Sequence, residues 1–217
     1  MPVALRIVIH TVQLLTIITC IWYCLNKRSI QPYRLFSIGW IIILLQDMTM
    51  VVIGRYNHAN NLWVYNIFYP LEQLFYMLFF ILLLGQRKWM IAMVLFALFA
   101  AFSYLQWQQP LKLNTQSLAV GGIFILVLAF TKMYHLYKSD KIQNVFTEPA
   151  FWISAGFILY WGFGSPYFAM YNFLWETSRE FSTAYFYTVN FGFLVLLNLS
   201  IIKALQCSLP TKRSSVS

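Results

Sequence analysis

Seven nearly unbroken apolar runs of about 18 or more residues cover most of the chain, and they leave it very few ways to fold. They lie at residues 5–25, 34–54, 62–84, 88–106, 116–137, 149–172 and 182–206. About 20 apolar residues suffice for a helix to cross the hydrocarbon layer of a bilayer, and a helix satisfies its own backbone hydrogen bonds there. The runs therefore predict an all-α protein: a seven-transmembrane helix bundle in one domain over residues 1–208, with a disordered cytoplasmic tail at 209–217. Composition points the same way, since only 10% of the 217 residues are charged, against roughly one quarter in soluble domains. Connections of about a dozen residues at most leave no room for a soluble catalytic or nucleic-acid-binding domain.

The net charge of +9 sorts by loop. One side collects Lys27, Arg28, Arg34, Arg87, Lys88, Lys132, Lys138, Lys141, Lys203, Lys212 and Arg213; the other has Arg6, Arg55, Lys112 and Arg179. Positive charge accumulates on cytoplasmic loops, so the N-terminus is expected outside and the C-terminus in the cytoplasm. The setting expected is a plasma membrane, specifically a bacterial inner membrane. Topology and anionic headgroups account for the basic charge without a nucleic-acid partner. Cys20, Cys24 and Cys207 lie in or beside apolar runs, so no extracytoplasmic disulfide framework is expected. The first run reads as a retained helix, because its basic cluster follows it and no small-x-small cleavage site appears.

Within this apolar chain the polar residues stand out. The 62–84 run, LWVYNIFYPLEQLFYMLFFILLL, carries Asn66, Pro70, Glu72 and Gln73 near its middle. A carboxyl at that depth is costly unless it faces a bundle interior, a cavity or a partner. Tyr65, Tyr69, Glu72 and Tyr76 are spaced i, i+4, i+7 and i+11, which puts them on one narrow helix face. Asp47, in the preceding run, falls at nearly the same depth on the neighbouring antiparallel helix. His10, Gln13, Gln46, Ser165 and Asn190 share the outer half, which predicts a polar cavity open to the outside. The candidate ligand- or proton-binding residues are thus Glu72, Asp47, Tyr69, Tyr76, Asn66, Gln73, Asn190 and His10. The competing reading makes the same side chains interhelical glue, with Pro70 a structural kink. Gly121 and Gly122 predict a close helix approach, and Gly162, Gly164, Ser165 and Pro166 predict a weakened or broken outer half of the sixth helix.

No Ser-His arrangement, metal-spaced histidine cluster or glycine-aspartate motif points to an enzyme, and no cofactor or metal is called for. Lys203 lies too near the interface for a mid-membrane Schiff base. Ser37-x-Gly39 and Ser154-x-Gly156 precede Glu72 and Asn190 by similar intervals, a faint parallel repeat similar in layout to small sugar transporters, whose proline-glutamine signature is missing here. The NxxYPxEQ segment around Glu72, the FWISAGFILYW start of the sixth helix and the stretch from Asn190 to Asn198 resemble uncharacterised seven-helix inner-membrane proteins of Bacteroidetes-type bacteria. Some of those accompany or are fused to sensory kinases, so the resemblance implies a receptor-like module and brings no catalytic residues with it. The function expected is binding of a small ligand from outside and signalling to a cytoplasmic partner. The alternative is a proton-coupled small-molecule transporter, since two desolvated carboxyls sharing a site would hold a proton between them.

Overall fold

A computed structural model describes residues 3–26, 29–56, 62–106, 112–139, 144–186 and 191–209, and within them the protein is all-helical. The helices are α1 (Val3–Leu25), α2 (Gln31–Tyr56), α3 (Leu62–Leu84), α4 (Trp89–Gln106), α5 (Thr115–Tyr137), α6 (Pro149–Thr177), α7 (Arg179–Phe186) and α8 (Leu194–Cys207), with a 3₁₀ turn at Val145–Thr147. Five stretches are long and apolar enough to cross a membrane: Ile7–Leu25, Trp63–Leu84, Trp89–Gln106, Thr115–Tyr137 and Phe191–Ser208. The outward surface suits lipid. On α4, Ile91, Leu95, Leu98, Phe102 and Leu105 are 56% to 80% exposed, and their three- and four-residue spacing aligns them in one apolar stripe.

In the last run, expected at 182–206, the described residues form α7 up to Phe186 and a π-helical turn at 191–193 that leads into α8, while residues 187–190 lie outside the described residues. Arg179, Glu180, Ser182 and Thr183 make α7 amphipathic. One expectation is corrected: the outer half of the sixth helix is not broken, because α6 continues through Pro166. Pro166 frees the carbonyl of Gly162, where the chain borders open space. The flanking Trp161, Ser165, Tyr167 and Phe168 are all buried, and their packing outweighs the local weakness. The 209–217 tail lies outside the described residues from residue 210 on.

α5 and α6 are central: α6 packs on α5, α7 and α8, while α5 also meets α3 and α4; α1 pairs with α2 and α8. Glycines set the closest approaches. A Cβ on Gly156 would stand 2.9 Å from Ser200 Cβ and 3.0 Å from Leu197 Cδ1 on α8, and one on Gly121 would occupy the place of the Gln73 carboxamide. At the C-terminus of α3, Lys132 Nζ donates to the Leu83 carbonyl at 2.8 Å, and Gly85 ends the helix at φ +64.

The half of the bundle that holds the start of α2 and the end of α3 is packed with aromatic rings. Phe36 and Phe79 have centroids 4.3 Å apart, and Phe80 meets Phe157 edge-on at 5.4 Å. All four are at most 2% exposed, so this half forms a dry plug.

Candidate functional site

Above the plug the aromatic packing opens. Phe36 and Trp40 are one turn apart on α2, and Asp47 lies 11 residues beyond Phe36 on the same helix, about 16 Å along its axis. Between them is a cavity of about 280 Å³ bounded by α1, α2, α3, α5, α6 and the start of α8. Such a volume is near the lower end of the roughly 300–1,000 Å³ of small-molecule sites. α1 contributes His10 and Gln13, α2 contributes Trp40 and Asp47, α3 contributes Tyr65, Tyr69, Glu72 and Tyr76, and α6 contributes Tyr160, Trp161 and Phe168.

The α3 residues are there because of helical periodicity, and one of them is conspicuous chemically. Glu72 Oε1 is buried with no hydrogen-bond partner among the described residues. The Glu72 and Asp47 side chains are both half-buried, bordering the cavity where packed protein would otherwise cover them. They are within electrostatic reach of each other. On α1, His10 Nδ1 lies 3.2 Å from Gln13 Oε1, within hydrogen-bonding distance. Trp40 forms the floor together with Tyr76, their rings 5.8 Å apart. The Trp40 indole Nε1 donates to Asn198 Oδ1 at 3.3 Å, and Asn198 Nδ2 donates in turn to the Leu194 carbonyl at 2.8 Å.

The predicted residues separate into two groups. His10, Asp47, Tyr69, Glu72 and Tyr76 come together around the cavity. Asn66 and Gln73 are on the adjoining face of α3, roughly 100° around the helix, against α5. Asn66 Nδ2 donates to the Lys112 carbonyl at 2.9 Å, and its Oδ1 accepts from Asn114 N at 2.8 Å. Gln73 Nε2 donates to the Leu118 carbonyl at 2.8 Å. They fasten the α4–α5 connection and α5 to α3, with help from Ser103, whose Oγ is 2.9 Å from Asn114 Nδ2, and from Asn172, whose Nδ2 donates to the Leu113 carbonyl at 3.1 Å. Asn190 lies outside the described residues, next to Phe191, which lines the cavity.

The aromatic wall was the part that polar-residue reasoning missed. A signal for it existed: Trp40 is one heptad before Asp47, and Trp161 and Phe168 are one heptad apart on α6. Among the described residues no group of three or more His, Cys, Asp or Glu side chains could hold a metal ion, and Cys20, Cys24 and Cys207 are free thiols.

Fold and site together define a helical protein with, among the described residues, five helices long and apolar enough to cross a membrane, and a cavity lined by two carboxyls and aromatic rings. Compared with known proteins, the chain matches no family model, no curated protein and no solved structure.

Proposed function

We propose that the protein is a multi-pass membrane receptor that takes a small ligand into the Asp47–Glu72 cavity from the extracytoplasmic side and signals to a cytoplasmic partner. In this reading α2 and α6 also cross the bilayer. With 26 and 29 residues they are about 39 and 44 Å long, more than enough to span. Seven crossings, the loop charges and the positive-inside rule put the N-terminus outside. The resemblance to seven-helix inner-membrane proteins that accompany sensory kinases supports a bacterial inner membrane and a signalling partner.

The observation that carries the reading is the unpartnered Glu72 Oε1 beside a cavity closed on one side by the Phe36, Phe79, Phe80 and Phe157 plug. A buried polar atom without a partner costs roughly 1–3 kcal/mol, a cost that persists in evolution where a ligand repays it. A plug on one side suits a protein that reports occupancy. The carboxyl pair itself favours a second reading, proton-coupled transport, in which a proton is exchanged between Asp47 and Glu72. Reconstituted proteoliposomes separate the two. A receptor binds solute without accumulating it under an imposed pH gradient. Acid-driven accumulation that disappears in Glu72→Gln would establish the transporter instead. An N-terminal tag readable on intact cells, with the C-terminal tag readable only after permeabilisation, is the topology expected; the reverse pattern would put the cavity on the cytoplasmic side.

A further inference from the structure

We infer that the ligand of this cavity is a small organic cation, an amine that also carries a neutral hydrogen-bond acceptor such as a hydroxyl or carbonyl. The inference rests on the reading of the cavity as a ligand site and names the chemistry that would fill it. Among the described residues that line the cavity, Asp47 and Glu72 are the only acidic ones and none is a lysine or arginine. Two desolvated carboxyls that share a site cannot both ionise easily, and a cation bound beside them lets the second lose its proton. Among the same residues an anionic ligand would find no countercharge beyond His10, whose Nδ1 lies 3.2 Å from Gln13 Oε1.

The rest of the lining distinguishes an organic cation from a metal ion. Calcium takes six to eight oxygen ligands and magnesium an octahedral shell, whereas eight of the nineteen residues lining this wall are aromatic, Trp40, Tyr69, Tyr76 and Trp161 among them. Ring faces attract weakly hydrated ammonium groups and do little for a metal ion. The acceptor on the ligand is called for by Trp161. Its benzo edge, through Cε3 and Cζ3, faces Gly122 of α5. Its Nε1, on the other edge of the indole, is buried and has no hydrogen-bond partner among the described residues, although the residue is only 4% exposed. Trp161 and Glu72 both line the cavity and each keeps a buried polar atom that no described residue satisfies, so a ligand with a positive and an acceptor end would pair with both once the side chains turn to meet it.

Matched probes test this on the full chain in a non-ionic detergent: choline against its neutral isostere 3,3-dimethyl-1-butanol, and tyramine against 4-propylphenol. The expected result is that at least one cation raises the melting temperature by several degrees while its neutral isostere does not, and that Glu72→Gln and Asp47→Asn each weaken it at least ten-fold. Each variant's unliganded melting temperature shows that it is folded. Trp161→Phe is expected to weaken choline several-fold and to leave tetramethylammonium, which has no acceptor, unchanged. Equal losses for both would remove the acceptor from the inference. Neutral isosteres that stabilise as well as the cations would overturn the inference and leave the ligand cavity standing. No stabilisation by any of the probes would overturn both.

Discussion

Glu72 and Gln73 are neighbours in sequence, yet α3 turns them roughly 100° apart onto two faces, where they meet different fates. Gln73, 1% exposed, spends its amide donor on the Leu118 carbonyl of α5. Its Oε1 has no partner either, but Gly121 closes over it and leaves no space for a ligand. Asn66, one heptad earlier on the same face, uses both ends of its amide on residues 112 and 114. Glu72, with Tyr65, Tyr69 and Tyr76, looks into open volume. Polar side chains of similar depth thus serve as glue where main-chain groups of a neighbouring helix reach them, and form a site where none does.

Substitutions on the two faces should therefore behave differently. The largest effect is expected at Asn66→Ala, which leaves Asn114 N and the Lys112 carbonyl without their partner and should cost about 3 kcal/mol, read as a fall in melting temperature in detergent. Gly156→Val forces a side chain against Ser200 and Leu197 and should cost about 2 kcal/mol through overpacking. The loss should appear in thermal unfolding and leave choline affinity within two-fold if the α6–α8 contact is purely structural. Trp40→Phe keeps a ring at the cavity floor but loses the bond to Asn198, for about 1 kcal/mol. Because Trp40 lines the cavity, choline affinity should fall with it. Least affected should be Lys112→Ala: its 2.7 Å bridge to Glu176 is between side chains 46% and 62% exposed, worth no more than about 0.5 kcal/mol after solvent screening and diminishing further in high salt.

Much of this architecture could be read from the sequence, for reasons that also mark where reading stops. The apolar run at 62–84 coincides with α3, and those at 88–106 and 116–137 differ from α4 and α5 by one residue at their starts, because hydropathy responds directly to where a helix meets lipid. The run at 182–206 begins in the amphipathic α7 and ends in α8, with residues 187–190 outside the described residues. The α6 break at Pro166 failed because local propensity was visible, and the packing of Trp161, Ser165 and Phe168 that overrides it was not. The tyrosine-flanked face of Glu72 followed from 3.6-residue periodicity alone. That Asn66 and Gln73 belong to a different face also followed from periodicity, but their role did not, since their partners are main-chain groups some 45 residues away.

The contrast between the two faces of α3 is tested most directly by the unliganded melting temperature of Glu72→Gln measured beside that of Asn66→Ala. Neutralising a carboxyl with an unpartnered oxygen should leave the protein as stable as the parent or raise its melting temperature, while Asn66→Ala lowers it. A fall in Glu72→Gln as large as that in Asn66→Ala would contradict this, and would make Glu72 a structural member of the core and the cavity an incidental gap in its packing.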